Sequence, residues 1–402
     1  MHQGLGPHAT NIAEKSAWRS PHVLTLTPFY PSDGDEVSGC FVAEALRRVE
    51  TLGANSSVIA VSSIYHAGRK SSRKFPAEWT RYPQLPGNFG LPSAGTFLGA
   101  ALLKRVRELH RSSPVSVIHA HAALPCGQAA AFLSRRLGIP FVVTIHGLDA
   151  FNSCFQDGIA ASWRRTSSTR VYCSAHKVIC VSDKVQSELK RGMTEAGMAA
   201  ESEVVYNGTD PELFSPNLSD EAQLTILIVG NLLAGKGHEL VLHAVARLKD
   251  LYPDLQCRII GEGADRVRFS ALAEDLGIGG RVHFLGRRSR TEVADAMRSC
   301  TVFALPSRYE GLGCVYLEAM ASGKPAIACR GQGIEEIIRH GENGCLIPVD
   351  SLEELVQNLQ VLLADAELRA RIGKAARQTI LDNLTLSHQA EKLMRIYEGA
   401  AQ

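Results

Sequence analysis

The sequence predicts an α/β chain of two doubly wound domains. Three observations carry this. Apolar runs of strand length alternate with helical patterns from end to end, and the scheme repeats in the second half. Between the two runs lies YNGTDPELFSPNLSDEAQ (206–223), rich in Asn, Gly, Pro, Ser and Asp and without strand or helix period. Strand–helix alternation places helices on both faces of a parallel sheet, and such sheets bind ligands at the carboxyl ends of their strands. At 402 residues the chain is also too long for one ordinary domain.

In the first half, HVLTLTPFYP (22–31), SSVIAVSS (56–63), SVIHAHA (116–122), PFVVTIHG (140–147) and KVICVS (177–182) read as buried strands. Their near-continuous apolar character is what a strand covered on both faces requires. Helical patterns fall between them, notably at 41–52 and 127–137. In the second half the strands are LTILIVGN (224–231), QCRIIGEG (256–263), RVHFLG (281–286), CTVFALP (300–306) and KPAIACR (324–330), with helices such as 238–251 and a last one at 387–398. The opening MHQGLGPHATNIAEKSAWRSP carries no apolar h-region, so residues 1–21 read as a flexible extension and not as a secretory signal.

Composition narrows the function. With 45% apolar and 21% charged residues, both domains can bury a proper core. No apolar run reaches the ~18 residues of a membrane span. The ten cysteines are scattered, without a C-x-x-C pair, and most sit in apolar contexts, as Cys180 and Cys329 do. They read as reduced thiols of a cytosolic protein, and a structural zinc site has no support. Residues 1–210 hold 22 Lys and Arg against 16 Asp and Glu, a net +6, whereas residues 211–402 hold 21 against 25, a net −4. A basic first half suits peripheral contact with an anionic membrane or a pyrophosphate-linked acceptor, and equally an ordinary solvated face. No nucleic-acid-binding motif accompanies the charge, so nucleic acid is not an expected partner.

The chemistry concentrates around Glu310 and Glu318, eight positions apart, with Gly311-Leu312-Gly313 between them and an apolar helical run at 315–320. Glycines at a helix N-terminus let backbone N–H groups close on an anion, which the helix dipole also favours. Carboxylates before and after that point suit a ligand with hydroxyls on both sides of a phosphate, as in a nucleotide sugar. Glycosidase pairs stand about 5–9.5 Å apart. A wholly helical span here would rise roughly 12 Å, although the intervening turn leaves the distance open. The competing reading makes Glu310 a helix cap and Glu318 a solvated surface residue. In VGNLLAGKGHEL (229–240), the glycines and Lys236 follow a strand and open a helix, a layout suited to a diphosphate. GEGADR (261–266) lacks the third glycine of a dinucleotide fingerprint. Asp33-Gly34-Asp35, flanked by Pro31, reads as a turn, and no metal or other cofactor is expected. His119, His121 and His146 all end strands, where a cleft lies.

The string YEGLGCVYLEAMASGKPAIA (309–328), followed by GQGIEEII and HGENGCLI, closely resembles the E-x7-E region of retaining glycosyltransferases of family 4. That resemblance implies the GT-B fold, two Rossmann-like domains facing a central cleft, with an acceptor-binding domain at 22–210, a nucleotide-sugar-binding domain at 211–385 and a tail, 386–402, that packs back on the first domain. It implies that Glu310 holds the donor sugar and Glu318 the ribose. Gly39, in the loop PSDGDEVSGC, together with Gly311, Leu312 and Gly313, would face the donor, beside Lys236. Where the family usually has Arg, this chain has Asn231, which carries no charge. VVTIHGLD makes His146 the catalytic candidate of the first domain, with Asp149 and His121 on the acceptor side. The expected reaction moves a sugar, from a UDP-sugar or a GDP-sugar, to an acceptor hydroxyl with the anomeric configuration retained. SGCFVAEAL, IHAHAALP and RGQGIEEII are similar to segments of bacterial capsular, teichuronic and exopolysaccharide enzymes, which implies a saccharide or lipid-linked acceptor at the inner membrane face. Two rivals stay open: a nucleotide-sugar 2-epimerase of related architecture, and a non-catalytic scaffold, which the missing Arg at 231 keeps in view.

Overall fold

The computed structural model describes residues 20–65, 68–85, 90–147, 158–216 and 223–402. The first domain holds seven parallel strands, β1 (His22–Thr27), β2 (Asn55–Ser63), β3 (Glu78–Tyr82), β4 (Val117–His121), β5 (Phe141–Ile145), β6 (Lys177–Cys180) and β7 (Ser202–Val204). The second holds six, β8 (Thr225–Val229), β9 (Gln256–Ile260), β10 (Val282–Gly286), β11 (Val302–Ala304), β12 (Ala326–Cys329) and β13 (Cys345–Ile347). Their orders, β3-β2-β1-β4-β5-β6-β7 and β10-β9-β8-β11-β12-β13, both reverse beside the first strand. Each domain is therefore a Rossmann-like doubly wound sheet with a crevice at its switch point.

The helices cover both faces, as parallel sheets require. They are α1 (Cys40–Thr51), α2 (Gly90–Ser112), α3 (Gln128–Leu137), α4 (Ile159–Ser174) and α5 (Asp183–Glu195), then α6 (His238–Leu248), α7 (Arg266–Asp275), α8 (Arg290–Ser299), α9 (Cys314–Ala321), α10 (Leu352–Ala364), α11 (Ala366–Asn383) and α12 (Leu386–Ala400). Strands β1, β4, β5, β8 and β12 are buried throughout. Helix α12 returns to the first domain, where Leu393, Ile396 and Tyr397 pack with Val23, Val49 and Val117. Thr209 anchors that crossing: its N–H donates to the carbonyl of Leu384 and its carbonyl accepts from the N–H of Leu386, both at 3.0 Å. Among the described residues, no helix is long and apolar enough to cross a membrane.

Direct hydrogen bonds join the two domains. Ser182 Oγ, at the N-cap of α5, donates to the carbonyl of Gly311 at 2.6 Å. Glu336 reaches over from the second domain, and its carboxylate accepts the N–H groups of Asp183 (2.8 Å) and Lys184 (2.7 Å). An acid of one domain thus satisfies the open N-terminus of a helix in the other, where the dipole favours negative charge.

Candidate active site

The first domain contributes two strand ends and one helix start. Gly39 begins α1 at φ 77, and a Cβ there would stand 2.3 Å from the carbonyl carbon of Phe29. Only glycine fits both the left-handed backbone and that approach. One element over, His146 follows β5 and faces the cleft, flanked edge-on by Phe29 and Phe41. Its Nε2 lies 2.9 Å from His121 Nδ1, and the two rings stack at 5.2 Å.

His121, expected on the acceptor side, does not reach the cleft. It is 6% exposed and lines a small inner cavity behind His146, with His119, Gln389 and Tyr397. The register explains the difference. His121 pairs with Thr144 inside the sheet, so His146 stands two residues further out along the neighbouring strand. Burial pushes His146 down to about 4, and the neighbouring His119 to about 3. The cluster is therefore neutral imidazole near pH 7. Asp149 lies outside the described residues.

The second domain supplies the carboxylates and the cation. After β8 the chain turns through exposed Asn231 to Lys236, whose Nζ donates to Glu310 Oε1 at 2.7 Å. Glu310 stands in the loop after β11, where its own N–H donates to Gln332 Oε1. Gly311 follows, and Gly313 starts α9 at φ 83. Leu312 is 1% exposed, so its side chain belongs to the core while its backbone borders the cleft. Asp33 and Asp35 form a tight turn closed by paired bonds between Ser32 and Asp35. Asp35 then meets Arg287 of the second domain at 2.6 Å across the cleft.

Glu318 is not a solvated residue. It is 4% exposed, and its Oε1 accepts from Arg290 while Oε2 has no hydrogen-bond partner. Burial raises its pKa, and Arg290 works against that rise. Arg290 and its second partner, Glu44 of α1, escape a reading of the sequence by motif. One signal does exist: an arginine in the first turn of a helix opposes the dipole and needs acids from elsewhere.

Gly39, His146, Asn231, Lys236, Glu310, Gly313 and Glu318 all line one interdomain cleft of about 500 Å³. Its floor depends on Gly311, where a Cβ would lie 2.2 Å from the carbonyl oxygen of His146. Gly311→Ala is therefore expected to force the domains apart. Overpacking of this kind costs about 1–3 kcal/mol. A lowered urea midpoint, together with reduced ligand affinity, is the result to look for; unchanged values for both would show that the contact yields freely.

Residues 41–213 match the model of Glycosyltransferase Family 4, and residues 209–379 that of Glycosyl transferases group 1. The chain is 30% identical over 275 residues to an uncharacterized glycosyltransferase of Methanocaldococcus jannaschii, covering 68% of this chain and 72% of that one. It is 32% identical over 313 residues to the D-inositol 3-phosphate glycosyltransferase of Stackebrandtia nassauensis, covering 71% and 68%. It is 29% identical over 345 residues to the alpha-D-kanosaminyltransferase of Streptomyces kanamyceticus, covering 79% and 87%. Among solved structures, sucrose-phosphate synthase from Thermosynechococcus elongatus superposes with a TM-score of 0.77 at 21% identity, over 95% of this chain and 99% of that one. Anabaena HepE in complex with UDP gives 0.71 at 19%, over 93% and 98%.

Two Rossmann-like domains closed on such a cleft, with these relatives, define a glycosyltransferase of GT-B fold. The chain belongs to the group 1 glycosyltransferases, with a family 4 first domain.

Proposed function

We propose that this protein transfers a sugar from a nucleoside diphosphate sugar, a UDP-sugar before a GDP-sugar, to a hydroxyl of a saccharide or lipid-linked saccharide, with retention at the anomeric carbon. One observation supports this above others. The Lys236–Glu310 pair and the unpartnered oxygen of buried Glu318 lie at opposite ends of one short loop and helix start, inside one cleft. A diphosphate placed at the N-terminus of α9 meets open backbone N–H groups and the favourable end of the dipole. It draws Lys236 from Glu310, which frees that carboxylate for the sugar's hydroxyls. On the other side, Glu318 accepts from the ribose. The neutral His146 faces the sugar and donates to it without carrying charge.

In the transfer, the bond from the anomeric carbon to the β-phosphate oxygen breaks and the bond to the acceptor oxygen forms. The acceptor's proton passes to the leaving phosphate, whose growing charge Lys236 stabilises. The contacts of Ser182 and Glu336 hold the cleft shut and exclude water, which limits hydrolysis of the donor. That Anabaena HepE holds UDP supports the choice of base. The basic first half, and the likeness of SGCFVAEAL, IHAHAALP and RGQGIEEII to segments of polysaccharide enzymes, support a cell-surface polysaccharide acceptor presented at an anionic membrane.

The test is calorimetric titration with UDP and GDP, followed by product analysis by NMR with the matching nucleotide sugar. Glu318→Ala should weaken nucleotide binding about 10–100-fold, the worth of hydrogen bonds to a charged acceptor. Absence of binding by both nucleotides overturns the reading, and an inverted product overturns the retaining mechanism.

A further inference from the structure

Arg290 occupies a costly place. It stands at the first residue of α8, where the dipole opposes a cation, and its side chain is only 10% exposed. Two carboxylates from two domains compensate. Its Nε and Nη2 donate to both oxygens of Glu44, at 3.0 and 2.9 Å, and its Nη1 donates to Glu318 Oε1. The guanidinium face rests 4.7 Å from the ring centre of Phe214, which fixes its plane. Although burial works against its charge, Glu318 and Glu44 hold Arg290 protonated.

The division of bonds matters. An arginine beside one carboxylate tends to close on both of its oxygens as a fork. Here Glu44 takes the fork, so Glu318, which lines the cleft, receives a single bond and keeps Oε2 buried without a partner. We propose that Glu44 and Arg290 are positioning residues for donor recognition: Glu44 draws Arg290 aside, and the oxygen of Glu318 that this leaves open accepts the hydroxyls of the donor's ribose. Glu44 belongs to the first domain and Arg290 and Glu318 to the second, so the grip on the nucleoside is completed only where the two domains meet. Without Glu44, Arg290 closes on Glu318 and consumes the open oxygen. The inference rests on Glu318 as the nucleoside contact and adds how that contact is made.

The experiment compares the affinities of the full-length protein for UDP or GDP, whichever binds, and for its 2′,3′-dideoxy counterpart. Wild type should prefer the parent nucleotide by at least tenfold. Glu44→Gln should reduce that preference to within about threefold, leaving affinity for the dideoxy nucleotide nearly unchanged; an amide offers one acceptor oxygen where the fork needs two. Glu44→Ala serves as the second variant, with the same expectation. Equal weakening of both ligands, with the preference intact, would mean that Glu44 only supports the fold, and overturns the proposal. A wild type that binds the nucleotide without preferring the hydroxyls removes Glu318 as their acceptor, and the proposal falls while the donor assignment stands. Failure of wild type to bind either nucleotide overturns the functional reading itself.

Discussion

Lys236→Ala is expected to lower kcat/KM with a UDP-sugar by about 10²–10³-fold, the usual effect of removing one donor that stabilises developing charge. The expectation follows from what stands around the proposed site of the leaving diphosphate. Asn231, where the family usually has arginine, lines the cleft but brings no cation. Of the arginines on the wall, Arg287 is engaged with Asp35, Arg288 with Glu292, and Arg290 with Glu44 and Glu318. Among the described residues, the ammonium of Lys236 is paired with Glu310, the carboxylate that the donor sugar is proposed to claim. Because charge on the phosphate grows during bond breaking, kcat should fall more than KM rises. Lys236→Arg restores the charge but not the compact reach of the ammonium, so it should recover part of the rate. Steady-state kinetics on the three proteins decide the matter. An alanine variant with unchanged kcat would place leaving-group stabilisation elsewhere, with the amides of α9 the next candidates.

The difference between what was legible in the sequence and what was not follows from distance along the chain. Strands β1, β5 and β8 announce themselves because both their faces are covered, which makes them unbroken apolar runs. β3, with Glu78-Trp79-Thr80-Arg81-Tyr82, lies at the sheet edge with most of its residues half-buried or exposed, and it shows no such run. The loop glycines, Lys236 and Glu310 declare themselves by standing between a strand and a helix. His121 misleads because strand-end position looks the same in sequence for His121 and His146, whereas the register of β4 on β5 sets one inside the sheet and the other over the cleft. The Arg290–Glu44 pair spans 246 positions and two domains, and no local pattern encodes it. The partner of Glu318 is equally non-local, since Arg290 stands 28 positions before it.

Lowering the pH from 8 to 5 is expected to strip about 4 kcal/mol from the stability of the fold through His119 and His146, at about 2 kcal/mol each, with His121 acting in the same direction. Burial lowers His119 to about 3 and His146 to about 4, and it also drives His121 well below its ordinary value. His119 has both ring nitrogens engaged, Nδ1 with Tyr397 Oη at 2.6 Å and Nε2 with Thr144 Oγ1 at 2.7 Å. A second proton would make both nitrogens donors, so the hydroxyl that now donates to the ring would have to turn and accept, and the added charge would sit in a fully buried site. In the unfolded chain these rings titrate near 6.5. Below that value the unfolded state binds protons that the folded state refuses, so stability is complete above 6.5 and falls as the pH drops towards the folded values. His238, lowered to about 4 by burial, adds in the same direction. Glu318 opposes it, because burial raises a carboxyl group and the folded state then binds the proton first. One group does not offset four. Against a total stability of about 5–15 kcal/mol, a loss of this size is a large fraction of the whole. Urea midpoints measured from pH 8 to pH 5 test this, and a flat profile would mean that the cluster takes up protons without opening. The same values separate loss of the fold from loss of chemistry. His146 stays neutral to about pH 4 in the folded protein, so activity that fails near pH 6 should follow the unfolding curve, with no separate limb from the catalytic candidate itself.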